Sequence, residues 1–483
     1  HHFNVTTLAS FGIEDKPLAL QAAASLLGYL QHTQKTTVKH IKKIITANPE
    51  ETMMLDKSTM LNLELFSTIR EHDTRGSLLS VLDETITAMG GRLLKQWLRK
   101  PLTNQETIVK RHDAVEEFVQ KRSSRNTLRE KFEQVTDIER ILSRLSVNIG
   151  NARDVVNLKE SLKHILEIKQ ELKDCESSLT ATTRENIPPE IQDIITMIEK
   201  HIMDEPPIDL RSGGIMREGI SEELDALRTR VQGSKDWMLQ LEQEEKEKTG
   251  IGSLKVRFNK VFGFYIEISK SNLHLVPQNY MRKQTLVNGE RFITPALKEH
   301  EEIILTAEER INNLEYELFQ KTLSEVLSYI EHLQHAAQSI AIIDCLTNFA
   351  HLAEKNNYVR ANMITDERMH IIEGRHPVVE KLLEQAEFVP NDSSLNETQQ
   401  LLIITGPNMA GKSVFIRQVA LITLMNQIGS FIPASQAELS LVDRIFVRSG
   451  ASDVITSGLS TFMVEMVETA HILHHATENS LII

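Results

Sequence analysis

Leu401-Leu402-Ile403-Ile404-Thr405-Gly406-Pro407-Asn408-Met409-Ala410-Gly411-Lys412-Ser413 is the stretch from which the rest of the chain can be read. Its last eight residues match G-x-x-x-x-G-K-[ST]. The apolar run predicts a strand over 401–404, and the periodic stretch from Val414 to Met425 predicts a helix leaving the loop. In that setting the glycines let the backbone curl so that successive N–H groups point at phosphate oxygens, and the helix N-terminus adds positive potential. Lys412 then lies along the β- and γ-phosphates of ATP, and the Ser413 hydroxyl holds Mg²⁺. Gly406, Pro407, Asn408, Met409, Ala410, Gly411, Lys412 and Ser413 are therefore nucleotide-binding candidates. Lys412 and Ser413 are the catalytic pair, and Ser413 is the metal ligand. The plain alternative is a glycine-containing strand–helix turn with a solvated lysine.

Hydrolysis also needs an acidic group, usually at the end of a neighbouring strand. Ser480-Leu481-Ile482-Ile483 reads as the start of such a strand, with no Asp or Glu after it. The chain, which opens on His1-His2-Phe3, reads as truncated at both ends, and hydrolysis by it is expected to be impaired. Ser457-Gly458-Leu459-Ser460-Thr461 precedes another helical stretch. It reads either as an ordinary capped helix or as a hydroxyl-rich N-terminus facing a γ-phosphate.

Upstream, residues 296–373 contain no Gly and no Pro, and Leu314, Leu318, Val326, Ile330 and Leu333 fall near helical spacing. One very long helix is expected over the first ~50 of them. Before it, Leu254-Lys255-Val256-Arg257-Phe258 and Phe264-Tyr265-Ile266-Glu267-Ile268 alternate with a strand period, which predicts a small β-rich insert. A charged helix over residues 221–248 precedes the insert. From Leu61 to Ile187 the pattern is mostly helical, punctuated by Gly90-Gly91 and Pro101. After Asn356 short apolar strands such as Ile371-Ile372 alternate with helices, as in an α/β domain with a largely parallel sheet. His471, His474 and His475 lack matching carboxylates and read as surface or packing histidines.

The 483 residues carry 54 basic and 67 acidic side chains, a formal charge of −13, with 41% hydrophobic residues. That composition is globular. It excludes a uniformly basic nucleic-acid coat but not a local patch. Between Gly252 and Lys298 eight basic residues face two acidic ones, a local balance of +6. Lys255, Arg257, Lys260, Lys270, Arg282, Lys283 and Arg291 are the candidates for contact with DNA phosphates; a solvated strand face is the alternative. Phe258, Phe262, Phe264 and Tyr265 read as the insert's own core. The two cysteines, Cys175 and Cys345, form no C-x-x-C pair and suit a reducing compartment. No apolar run approaches the ~20 residues of a membrane span.

The chain resembles the MutS DNA mismatch repair ATPases, most closely the bacterial type. Residues 405–413 resemble that family's Walker A segment, and Ser460-Thr461-Phe462-Met463-Val464-Glu465-Met466 its signature segment. Glu373-Gly374-Arg375-His376-Pro377-Val378-Val379-Glu380 resembles the entry to its ATPase domain. Asn62-Leu63-Glu64-Leu65 and Gly90-Gly91-Arg92-Leu93-Leu94 resemble its helical core. Residues 258–266 and 279–286 resemble its DNA clamp. Leu459, Val414 and Val454 depart from the family's pattern, and no Phe-x-Glu wedge occurs; Phe264–Glu267 is spaced F-x-x-E. The resemblance implies a multidomain architecture: a mostly α-helical core and levers with an inserted small β-rich clamp, then an incomplete α/β (ABC-type) ATPase domain. By residue, that is the end of a connector domain over 1–32, core and first lever over 33–233, clamp over 234–294, returning lever and core over 295–364, and ATPase domain over 365–483. It implies ATP and Mg²⁺ as cofactors, Phe388 stacking on adenine, and a homodimer in which the segment around Ser460 faces the nucleotide of the other subunit. From spacing alone Phe388 reads equally as an ordinary core aromatic. The implied partners are mismatched double-stranded DNA and a MutL-type repair protein, with no membrane, in the bacterial cytoplasm at the nucleoid. Other readings are a different long-helix ATPase acting on DNA, a recombination paralogue, or a non-hydrolysing clamp or scaffold.

Overall fold

The computed structural model describes residues 13, 16–34, 41, 44, 51–259, 263–383, 388–407, 410–448 and 461–483. The chain divides into two compact units: residues 1–140, 160–191 and 330–483 make one, and residues 141–159 and 192–329 the other.

In the first unit the helix Ile330–Asn356 is the spine, buried along most of its length. It packs against the helices Ala88–Arg99 and Gln105–Gln120. Gly90 and Gly91 lie inside the first of these rather than punctuating it. The reason is a partner far along the chain. Buried Asp344 accepts from Thr87 N and Thr87 Oγ1, both at 2.7 Å, and from Ile86 N at 3.1 Å, which fixes the helix start. A Cβ on Gly90 would stand 2.3 Å from the Asp344 carboxylate, so only glycine fits beneath it.

Two small sheets follow. Strands Met54–Leu55, Arg444–Phe446 and Ser480–Ile482 form a parallel sheet in that order. Asn362–Met363, Gln436–Leu439, Met369–Gly374 and Asn391–Leu395 form a mixed sheet, parallel only at its first pair. The expected largely parallel sheet is thus half of what is present. The strand expected over 401–404 is not one: among the described residues it has no ladder partner. Leu401 and Ile403 are 77% and 82% exposed. An apolar run becomes a strand only where a neighbouring edge takes its backbone groups.

In the second unit the helices Glu222–Thr249 and Pro295–Ser328 pack together and carry a four-stranded antiparallel sheet, ordered Lys255–Asn259, Gly263–Ser269, Gly289–Ile293, Met281–Thr285. Val256, Phe264, Ile266, Ile268 and Phe292 alternate onto one face and pack with Met238, Leu241, Leu297 and Ile304 of the helices. The single very long helix expected from residue 296 is instead two. Tyr329, at φ −93° and ψ 16°, separates Pro295–Ser328 from Ile330–Asn356. The Ser328 hydroxyl donates to Glu325 O at 2.6 Å and Tyr329 N to Val326 O at 3.1 Å, tightening the last turn without Gly or Pro.

Candidate functional site

The loop after Thr405 ends at Gly411, whose φ of +84° turns the chain into the helix Lys412–Gln427. A side chain there would be strained, and the open space around it leaves the first-turn N–H groups uncovered. Lys412 Nζ donates back to Gly406 O, and to Pro407 O at 3.2 Å, so the ammonium lies over the inside of the loop. Ser413 is exposed on the first helical turn. One turn on, Arg417 Nε donates to Ser413 O at 3.1 Å while its Nη1 reaches Glu64 at 3.3 Å. Glu64 holds a left-handed φ of 50° and also accepts from Ile69 N.

A cleft of about 670 Å³ opens here, lined by Phe388, Asp392, Thr405, Gly411, Lys412 and Phe415 among others. Phe388, half-buried, shares it with the loop lysine, as does Ala410. Gly406, Pro407 and Ser413 adjoin it in the chain. Asn408, Met409 and Ser460 lie outside the described residues. One wall is the short helix Pro377–Leu382, capped by His376, whose Nδ1 accepts from Val379 N at 3.3 Å. Burial, reinforced by the Arg417 charge, pushes His376 down to about 4, so it is neutral at pH 7 and free to accept.

Sequence reasoning missed how the segment 52–65 joins this region. Met54–Leu55 supplies an outer strand of the parallel sheet, and Asp56 caps the helix Lys57–Asn62 by accepting from Thr59 N at 2.6 Å. Asn62 Nδ2 donates to Val447 O at 2.9 Å, and Ser58 Oγ to Glu468 at 3.2 Å. The available signal was Met53-Met54-Leu55 directly before an Asp in the capping position. His471 lies edge-on to Phe446, 3.8 Å from Asp56, in line with a packing histidine.

The second unit holds the basic candidates that are described: Lys255, Arg257, Arg282, Lys283 and Arg291 on the sheet, and Lys270 at the start of a short helical turn after Ser269. Lys255, Arg257, Lys270, Arg282 and Lys283 are exposed. Arg257 stands 3.9 Å from Glu267, and Arg282 3.4 Å from Glu290. Arg291 is different: its guanidinium lies 4.2 Å over the Tyr265 ring, donates to Gln284 at 2.7 Å and stands 3.7 Å from Glu267. Its charge is engaged within the sheet's own outer face. Lys260 and Phe262 lie outside the described residues. Phe264 packs into the insert's core, Tyr265 is buried on the opposite face beneath Arg291, and Phe258 meets Phe264 at 4.8 Å, tilted by 50°, with half its surface exposed.

Comparison with known proteins covers nearly the whole chain. Residues 58–350 match MutS domain III, residues 402–483 match MutS domain V, and residues 1–42 match MutS domain II. The chain is 50% identical to the DNA mismatch repair protein MutS of Halothermothrix orenii, over all of this chain and 54% of the relative. The proteins of the same name from Alkaliphilus oremlandii and Myxococcus xanthus are 48% and 47% identical, over all of this chain and 55% and 54% of theirs. The chain spans about half the length of these curated relatives. With a domain III match over residues 58–350 and domains II and V on either side, the chain belongs to the MutS family.

Proposed function

We propose that this chain is the nucleotide-binding and DNA-clamping portion of a DNA mismatch repair ATPase. The observation that carries the reading is the cleft that Phe388, Gly411 and Lys412 line together. Phe388 offers a flat apolar surface to a purine, and Lys412 with the first-turn N–H groups of its helix offers positive charge to a triphosphate. The open space at Gly411 lets phosphate oxygens approach the backbone closely. The Ser413 hydroxyl is a hard oxygen donor on the first turn beside the cleft, and Asp392, which accepts from Glu373 N with one carboxylate oxygen, lines the cleft, so oxygen donors that suit Mg²⁺ are present. Mg²⁺, when bound, neutralises charge on the β- and γ-phosphates. Arg417 holds the first helical turn against Glu64, which fixes the turn that carries Lys412 and Ser413.

The domain divisions at residues 32, 233, 294 and 364 belong to the same proposal. So does DNA-backbone contact by Lys255, Arg257, Lys260, Lys270, Arg282 and Lys283, with Arg291 holding the sheet face beneath them. A homodimer meeting near Ser460, a MutL-type partner and a place at the bacterial nucleoid rest on the family alone. No helix among the described residues is long and apolar enough to cross a membrane. The deciding experiment is ATP binding with Mg²⁺ by calorimetry. Lys412→Ala should weaken binding by about 100-fold, the loss of one charge-assisted phosphate contact. An affinity unchanged by this substitution overturns the reading.

A further inference from the structure

The far end of the Lys412–Gln427 helix is held in an unusual way. Gly429, at φ +91°, closes it: Gly429 N donates to Asn426 O and Ser430 N to Met425 O, each at 3.0 Å. Carbonyls of the last turn and its cap also meet donors of the helical core. Leu102 N donates to Gln427 O at 3.0 Å, His112 Nε2 lies 3.2 Å from Asn426 O, and Arg111 Nη1 donates to Ile428 O at 2.7 Å. Buried Gln427 adds its side chain, donating to Leu102 O at 2.7 Å. Since a carbonyl only accepts, His112 Nε2 carries its proton; its Nδ1 has no partner among the described residues.

Arg111 is the centre of this cluster. Its guanidinium lies 3.6 Å over the Trp97 ring, its aliphatic stem lies against Gly429, and no carboxylate pairs with it among the described residues. Burial of that cation pushes it down to about 9. A cation placed without an acidic partner against the negative end of a helix is oriented by that helix's carbonyls. The helix is a rod about 24 Å long. Its other end is the loop at residues 406–413.

We propose that Arg111 is a positioning residue that fixes the Lys412–Gln427 helix to the Gln105–Gln120 helix, so that a triphosphate gripped at one end of the rod is felt in the helical core at the other. This rests on the nucleotide reading above. Near its start the rod is tied by an ion pair, Arg417 with Glu64, and residues 418–427 are buried along its length; the Arg111 end adds a packed joint of Trp97 ring, arginine side chain and Gly429 backbone. Displacement of the rod therefore moves residues 97–112 with it.

The test is hydrogen exchange of the whole chain with and without ATP and Mg²⁺, alongside calorimetric binding, for wild type, Arg111→Met and Arg111→Lys. In the wild type, nucleotide should slow exchange in Gln105–Gln120 about fivefold. Arg111→Met, which keeps the aliphatic stem, should still bind nucleotide but lose that response, and Arg111→Lys, which keeps a donor, should restore part of it. A joint that only adds stability would lower protection equally in both nucleotide states and leave the ratio intact; that result overturns the proposal. A wild type that binds nucleotide with no change in Gln105–Gln120 also overturns it, and leaves the nucleotide reading standing. A wild type that binds none overturns both. Should Arg111→Met fail to fold, Arg111→Lys decides: a response cut by half or more supports the joint, and an undiminished one refutes it.

Discussion

Two glycines bracket the Lys412–Gln427 helix, and substituting alanine at each separates backbone strain from steric contact. Gly411 and Gly429 have φ of +84° and +91°, so alanine costs about 1–2 kcal/mol of left-handed strain at either. Around Gly411 nothing lies within 4 Å of an added Cβ. At Gly429 the added Cβ would stand 2.5 Å from both Cβ and Cδ of Arg111. The Arg111 Cβ is fixed to its helix backbone and cannot rotate away, so the two helices must separate by about an ångström to reach van der Waals distance. That breaks the 2.7 Å bond from Arg111 to Ile428 O, a loss of about 1.5–3 kcal/mol for a charged donor. It also opens the guanidinium–Trp97 stack, about 2 kcal/mol when desolvated. Gly429→Ala should therefore destabilise by about 4.5–7 kcal/mol against about 1–2 for Gly411→Ala. The chain has two tryptophans, Trp97 in the first unit and Trp237 in the second. Urea unfolding followed by Trp97 emission in a Trp237→Phe background reads the first unit alone. A difference between the two variants below about 1 kcal/mol would refute the contact argument.

His112 and His376 are both pushed down to about 4 by burial, from about 6.5 in an unfolded chain. Their contribution is complete above pH 6.5 and is lost as the pH falls toward 4, about 3 kcal/mol for each. His112→Gln, which keeps a donor for Asn426 O, should remove about half of that acid sensitivity in urea midpoints measured at pH 7 and 4.5. Phe388→Ala should weaken ATP binding about tenfold through lost base stacking, while inorganic triphosphate competes as before; equal losses for both ligands would place Phe388 away from the base. In DNA binding, Lys255→Ala and Lys270→Ala should each lower the slope of log K against log salt by about 1. Arg291→Ala should leave that slope nearly unchanged and reduce the thermal stability of the second unit, through the lost Tyr265 stack.

Local periodicity carried far in this chain. The alternation in 254–268 became two paired strands, residues 221–248 became a helix closed by left-handed Gly250, and the loop motif became a turn into a helix at Lys412. The failures share a cause: each was decided by a residue distant in sequence or by a side chain competing with the backbone. Gly90-Gly91 looked like a breaker because Asp344, which occupies the space above Gly90, comes some 250 positions later. The helix from residue 296 ended at Ser328 through a hydroxyl bond that periodicity does not register. Leu401–Ile404 had the composition of a strand and lacked an edge to join. In the cleft, Lys412 was legible from its motif, whereas the Arg417 tie to Glu64 and the Arg111 joint needed the fold to bring them together. The charge count over the insert counted Arg291 as available, but its ring partner Tyr265 occupies it.

The outer strand Met54–Leu55 also bears on how the polypeptide is made. The segment that anchors it meets its counterpart across a wide gap in sequence, Asn62 bonding Val447 at a separation of 385 residues. At bacterial synthesis rates of about 5–20 residues per second, an early edge waits on the ribosome for about 20–80 s before the residues that cover it emerge. During that interval Met54 and Leu55 present an unpaired apolar ribbon to every neighbouring nascent chain, so a stall before Arg444 should recruit holding chaperones to the segment around Met54 rather than to the point of arrest.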